Sequence, residues 1–227
     1  MSVESEFDQR WIENKPELGY EYEKNKSGQM LVRGGAIFSG YYKDPEATKE
    51  AFDEYGFYRT GDVVRLREDE KFQIIDRAKN FFKLTQGEFV SSESVENDYL
   101  AKFLYWFTQV WITGDKDQSF TVGLFAVDRD KLARFARHYG FDVEDIDIDD
   151  LGLKRVFYGK IMKPVSNDES FQVKGFEKVK NFKLFSGDFM TIDNDTLTTT
   201  TTMKIRRHKV NQVFKDDIKE LYEEGEL

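Results

Sequence analysis

Residues 57–87 constrain this chain most, because strand-forming, turn-forming and charged residues there alternate at fixed places. The stretch opens with Phe57-Tyr58-Arg59-Thr60-Gly61-Asp62-Val63-Val64. It closes with Ile75-Asp76-Arg77-Ala78-Lys79-Asn80-Phe81-Phe82-Lys83-Leu84-Thr85-Gln86-Gly87. Residues 63–66 and 71–76 are predicted as paired strands around the acidic turn Glu68-Asp69-Glu70. Thr60-Gly61-Asp62 is expected to be a turn, since glycine permits a tight backbone path that lifts the Asp62 carboxylate clear of the sheet. A carboxylate there can accept hydrogen bonds from the vicinal hydroxyls of a ribose. The plainer reading is a hairpin residue with no further role.

Charged residues past the second strand add to this. Arg77 can reach a ribose or a phosphate, and Lys79 marks a hinge, a place where backbone rotation is absorbed at the end of an element. The same residues also fit a solvated connector. Lys83, Gln86 and Gly87 follow, the glycine allowing backbone to approach a slender ligand. Near the C-terminus stands Met203-Lys204-Ile205-Arg206-Arg207. The Lys204 ammonium is a mobile point charge that can follow a carboxylate and a phosphate as they react. The threonine run at residues 198–202 would present it flexibly, and His208 reads as an exposed neighbour. The competing reading makes Lys204, Arg206, Arg207 and Lys209 a basic surface patch.

Composition narrows the classes. The chain has 227 residues, enough for one large domain or two small ones. It is 39% hydrophobic and 15% aromatic, which can build a core, and 34% charged, which solvates the surface. A net charge of -9 and a pI near 5.0 argue against nonspecific nucleic-acid binding, which needs cations to replace phosphate counterions. Anionic ligands must therefore meet local basic spots. With no cysteine, disulfides, thiolate metal sites and cysteine nucleophiles are excluded. His138 and His208 are too few for a histidine-rich metal site, and no metal ligand set is expected in this chain. There is no apolar run of the ~20 residues a membrane span requires. The acidic first residues lack a secretory signal. The expected location is the cytoplasm or the cytosolic face of a membrane, which leaves room for association with a membrane surface.

Several elements are legible elsewhere. Residues 30–33 read as a strand closed by Gly34-Gly35. Residues 44–52 read as a helix capped by Asp44, with Pro45 in its first position and Gly56 beyond its end. A capped helix is expected over residues 92–100, and strands over 110–113, 120–127 and around 183–185. Residues 130–139 have helical spacing, with Leu132, Phe135, Ala136 and Tyr139 on one face and Gly140 as the stop. The acidic stretch 142–150 reads as a solvated loop or helix start. A last helix is expected over 210–222, turning Val210, Phe214, Ile218 and Leu221 inward.

The order of these motifs resembles the long-chain acyl-CoA synthetase branch of the adenylate-forming, AMP-binding superfamily. The segment Ile37-Phe38-Ser39-Gly40-Tyr41-Tyr42-Lys43-Asp44-Pro45-Glu46-Ala47-Thr48 is similar to the family's stretch ahead of its Thr-Gly-Asp motif. Tyr58-Arg59-Thr60-Gly61-Asp62 is similar to that motif, and residues 75–90 to the hinge motif. Lys83-Leu84-Thr85-Gln86-Gly87-Glu88 favours the long-chain branch, and residues 197–207 resemble the C-terminal lysine motif without its proline.

The resemblance implies an α/β (α+β) fold. Residues 1–75 would be the β-rich, barrel-like end of a large N-terminal AMP-binding domain, 76–83 the hinge, and 84–227 a small mobile C-terminal domain with a central sheet and flanking helices. It implies a ligase that joins a fatty acid to CoA through an acyl adenylate, consuming ATP and releasing AMP and pyrophosphate. By matching position, Asp62 would bind the ribose with Thr60, Gly61 and Arg77. Lys79 would be the hinge, Lys204 would stabilise charge in adenylation, and Lys83, Gln86 and Gly87 would serve the thioester step. The phosphate loop, the acyl pocket and the Mg2+ ligands find no counterpart here and are expected upstream. The chain is therefore expected to be an incomplete part of the ligase, inactive alone. A noncatalytic interaction or regulatory module of the same fold stays open, as does an adenylate-forming enzyme acting on aryl or amino acids.

Overall fold

A computed structural model describes residues 11–142, 148, 150–186 and 206–227. Lys204, the threonine run and most of the acidic stretch lie outside the described residues. The chain divides into two compact units, Met1–Phe81 and Phe82–Leu227. Among the described residues no helix is long and apolar enough to cross a membrane.

The first unit is a four-stranded antiparallel sheet in the order β1-β2-β3-β4, where β1 is Ile12–Glu13, β2 Ser27–Val32, β3 Tyr58–Leu66 and β4 Phe72–Arg77. The short helix α1 (Tyr22–Asn25) leads into β2, and α2 (Pro45–Ala51) lies between β2 and β3 in sequence. Helix α2 starts as its residues dictate: Asp44 accepts from the Ala47 amide at 2.9 Å, and proline takes the first turn. Strands β3 and β4 meet with Leu66 opposite Phe72, so the acidic turn is where the sequence places it. Leu31, Phe57, Val63 and Val64 are buried. Arg59 ties the sheet to the end of α2, pairing with Glu13 at 3.1 Å and donating to the Phe52 carbonyl at 2.9 Å.

The second unit is built on a three-stranded sheet in the order β7 (Phe107–Thr113), β8 (Thr121–Val127), β9 (Val179–Ser186). The short strands β5 (Phe81–Lys83) and β6 (Phe89–Ser91) pair ahead of helix α3 (Ser92–Lys102). Strand β7 (Phe107–Thr113) runs antiparallel to β8 (Thr121–Val127). Helices α4 (Arg129–His138), α5 (Leu151–Phe157) and α6 (Lys163–Ser166) follow, the last two joined by a π-helical turn at Tyr158–Met162. Strand β9 (Val179–Ser186) then lies parallel to β8, and α7 (Arg207–Val213) and α8 (Lys215–Glu224) complete the unit.

Central strand β8 is buried on both faces, which is why it reads as an unbroken apolar run. Its alternate residues divide between two cores. Phe125 and Val127 face Tyr99, Leu132, Phe157 and Phe182. Val122, Leu124 and Ala126 face Val210, Phe214 and Leu221. The Tyr99 hydroxyl accepts from the Val179 amide at 2.9 Å, and burial pushes its phenol above the usual range.

The structure departs from the sequence expectation in several places. The expected single helix over 210–222 breaks at Phe214, whose φ of -99° and ψ of 22° end α7 and begin α8. Phe214 and Leu221 are both buried. Tyr139 is not on the buried face of α4; it caps the helix end and is 39% exposed. Ser91, the N-cap of α3, makes no capping side-chain bond. The helices between residues 151 and 166 had no sequence expectation.

The end of α8 is fastened by charge. Lys154, buried, pairs with Glu224, and Asn181 donates to the same carboxylate at 3.0 Å. Burial alone would raise the Glu224 pKa, but the bonds from Lys154 and Asn181 outweigh it and hold the carboxyl below 4.5. A depressed native pKa means stability that is present above the unfolded value and lost as pH falls through the native one. Glu224→Gln is expected to lower the melting temperature near neutrality and to flatten its decline below pH 4.5, as followed by thermal melts across pH. An unchanged acid decline contradicts this role.

Candidate functional site

Asp62 and Arg77 face each other across neighbouring strands, with Arg77 Nε 3.1 Å from Asp62 Oδ1. The turn expected at Thr60-Gly61-Asp62 is instead a bulge inside β3. On β2 the register passes from Gln29 to Leu31 while on β3 it passes from Val63 to Arg59. The surplus backbone swells outward at residues 60–62, with Gly61 at φ 79°. The strand resumes because β2 and β4 satisfy its backbone groups on both sides. A Cβ at Gly61 would meet no atom within 4 Å, so the constraint there is the left-handed backbone and not space.

Thr60 holds the bulge. Its hydroxyl donates to the Met30 carbonyl at 2.9 Å and accepts from the Asp62 amide at 3.1 Å. A second irregularity, between Val63 and Val64, shifts the β3–β4 ladder. The Asp62 side chain keeps 26% exposure and that of Arg77 67%, so both are reachable by a ligand. A neighbour missed at the sequence level is Tyr58. A hydrogen bond with Tyr41 raises its phenol pKa, and the charges of Asp62 and Arg77 both act on it. The signal available was an aromatic residue in phase with a carboxylate along one strand.

Asp76 does different work from Arg77, because successive strand residues point to opposite faces. It is buried, and its carboxylate accepts from the Arg77 amide at 2.6 Å and the Asn80 side chain at 2.8 Å. These bonds shape the turn Ala78–Asn80 on which Lys79 stands exposed.

Lys83, Gln86 and Gly87 belong to the turn joining β5 and β6 in the second unit. Leu84 and Glu88 close it through a backbone bond of 2.9 Å, and Gly87 turns at φ 96°. Gln86 is engaged, donating to the Ser119 carbonyl at 3.1 Å. Thr85 bonds the Lys116 carbonyl at 2.9 Å and the Gln118 carbonyl at 3.0 Å. The loop over residues 115–119 thus braces this turn. The Lys83 ammonium lies 5.3 Å from the centre of the Phe89 ring.

The basic cluster near the C-terminus separates. Lys204 lies outside the described residues. Arg207 pairs with Glu96, and Glu96 also accepts from the Ile112 amide at 2.7 Å. Arg207 is therefore an anchor for the start of α7 and not a surface cation; His208 is exposed. The structure brings Thr60, Gly61, Asp62 and Arg77 together in one unit and gathers Lys83, Gln86 and Gly87 in the other. Among the described residues no group of three or more acids and histidines could hold a metal ion, so Mg2+ does not fit them.

This architecture is that of AMP-binding adenylation domains. The adenylation domain of a carboxylic acid reductase from Segniliparus rugosus, in complex with AMP and a co-purified carboxylic acid, superposes with a TM-score of 0.75. It is 28% identical, over 94% of this chain and 31% of that one. An adenylation domain of a carboxylate reductase from Mycobacterium chelonae gives a TM-score of 0.75 at 26% identity, covering 93% of this chain and 30% of that one. No family model matches the chain.

Within that class, the chain is a relative of the long-chain fatty acid CoA ligases. It is 32% identical to long-chain-fatty-acid–CoA ligase 5 of Mus musculus over 93% of its own length and 30% of the relative's. It is 33% identical to long chain acyl-CoA synthetase 2 of Arabidopsis thaliana over 92% of its length and 31% of that protein's. A peroxisomal acyl-CoA ligase of Penicillium roqueforti is 34% identical over 87% of this chain and 28% of the ligase. The chain thus spans less than a third of the relatives it matches.

Removing one partner of a buried pair leaves the other charge uncompensated. Glu96→Ala is expected to destabilise the second unit by about 3 kcal/mol, read by denaturant unfolding. A loss of under about 1 kcal/mol, the range of an exposed ion pair, contradicts the anchor.

Proposed function

We propose that this chain contributes the ribose-facing carboxylate and the moving lysine of a long-chain fatty acid CoA ligase, acting with a larger upstream domain. The single observation that carries the reading is the Asp62–Arg77 pair, held on a bulge and still open to a ligand. In the proposed reaction a carboxylate oxygen of the fatty acid attacks the α-phosphorus of ATP, and pyrophosphate leaves. The CoA sulfur then attacks the acyl carbon, and AMP leaves. Asp62 accepts from the ribose hydroxyls while Thr60 and Gly61 set its position. Arg77 holds Asp62 and assists at the ribose.

Lys204 stabilises the charge that builds in adenylation. Rotation at Lys79 exchanges it for the turn carrying Lys83, Gln86 and Gly87 in the thioester step. In this reading residues 1–75 end the large domain, 76–83 form the hinge and 84–227 are the small mobile domain. Mg2+ and the acyl pocket belong to the upstream part. The location in this reading is the cytoplasm or the cytosolic face of a membrane. The short span of the relatives' length supports the view that these residues alone do not turn over substrate.

The test supplies fatty acid, ATP and CoA to the 227 residues alone, then together with the upstream domain of a related ligase. No acyl-CoA is expected alone, and formation is expected with both. Lys204→Ala in the combined enzyme is expected to slow adenylation about 100-fold or more. Turnover by the chain alone overturns the account of what is missing. Silence in both arms favours a noncatalytic module.

A further inference from the structure

Residues 37–48 stand apart from Asp62 and Arg77 in sequence, yet within the first unit a chain of contacts joins them to that pair. Thr48, on α2, holds Tyr41. Its hydroxyl donates to the Asp44 carbonyl at 2.7 Å and accepts from the Tyr41 amide at 2.8 Å. A Cβ at Gly40 would lie 2.7 Å from the Thr48 methyl, so glycine is what lets the turn come this close to the helix. Tyr41 is also bridged to Asp44 through backbone.

Tyr41 in turn holds Tyr58, the first residue of β3. The two phenols share a hydrogen bond. The Tyr58 ring is clamped as well. Phe38 meets it edge-on at 5.1 Å, Phe52 lies at 5.6 Å, and Phe52 also pairs with its backbone. The charges of Arg77 and Asp62 both act on the Tyr58 phenol, so the clamped ring stands within reach of the ion pair. Tyr41 is 48% exposed. A hydrogen bond between phenols open to water replaces bonds to water and adds little to folding. Two tyrosines where phenylalanine would pack as well therefore point to a use in geometry.

We propose that Tyr58 is a positioning residue for Asp62, supported by Tyr41 and Thr48, and that residues 37–48 thereby set how the carboxylate meets a ribose. The Arg77 side chain is largely exposed and free to swing. A fixed phenol beside it restricts the swing and keeps the guanidinium on Asp62. A site is held in its productive geometry when its supporting side chains are themselves locked by packing and hydrogen bonds. This inference rests on the ligase reading and on the ribose role of Asp62 within it.

The experiment measures kcat and KM for ATP in adenylation by the complete enzyme, this chain with its upstream domain. Tyr58→Phe and Tyr41→Phe each remove one hydroxyl and keep the ring. Either is expected to raise KM for ATP about fivefold, with kcat, KM for the fatty acid and melting temperature as in the parent. The two together are expected to cost no more than one, since both break the same bond. On an Asp62→Asn background Tyr58→Phe is expected to change nothing further, which a merely structural role would not reproduce. Tyr55→Phe, at an exposed tyrosine outside the cluster, is expected to match the parent. A parent KM in Tyr58→Phe, additive losses in the double variant, or a full Tyr58→Phe effect on the Asp62→Asn background overturns the proposal and leaves the ligase reading standing. An Asp62→Asn enzyme with the parent's KM for ATP overturns the ribose role itself, and the proposal falls with it.

Discussion

An antiparallel ladder must fall out of step to bring Asp62 opposite Arg77 while keeping both strands paired. On the β4 side the extra residue Ile75 accomplishes this, carrying the pairing from Val64–Ile74 to Val63–Asp76. On the β2 side the surplus residues at 60–62 form a bulge, with Gly61 taking the left-handed backbone and the Thr60 hydroxyl bridging to β2. The sheet around the bulge is continuous, so the carboxylate stands on a rigid support. Strand-borne groups are held more tightly than loop-borne ones, as a group that must meet a small ligand requires. Asp62 is exposed enough to accept from a ligand and close enough to Arg77 to be oriented by it. The pair is an exposed ion pair and adds little to folding stability. Its value lies in where it holds the carboxylate.

In the second unit the constraint is the two-sided burial of β8. Each face requires its own helical cover, α3 to α5 on one and α7 with α8 on the other. Buried polar groups then fix how those covers dock. Glu96 with Arg207 sets the start of α7, Asn181 and Lys154 set the end of α8, and Tyr99 ties α3 to β9. The turn carrying Lys83 and Gln86 is braced by the loop over 115–119, so it too is backed by the β7–β8 hairpin.

Local chemistry made much of this readable. The Asp44-Pro45 start of α2, the acidic turn between β3 and β4 and the apolar run of β8 depend on near neighbours, and the sequence states them directly. What stayed hidden depends on distant partners. Thr-Gly-Asp signals a turn by composition, and only the flanking strands β2 and β4 make it a bulge. Residues 210–222 keep one helical period, and the packing of Phe214 against Phe185 accompanies its break. Arg207 looks like any member of a basic cluster until Glu96, far away in sequence, is seen to claim it. The pair Asp62 and Arg77 was legible as chemistry, though its geometry was not.

In the proposed ligase the Asp62 carboxylate accepts from a ribose diol, and discrimination among sugars tests that role directly. The measurement is adenylation by the complete enzyme with ATP and with 2′-deoxy-ATP, for the parent and for Asp62→Asn. A charged hydrogen bond to a ligand hydroxyl is worth about 1.5–3 kcal/mol. The parent is therefore expected to favour ATP by about tenfold or more, and the variant to lose most of that preference. An Asp62→Asn enzyme that distinguishes the two nucleotides as sharply as the parent contradicts the assignment.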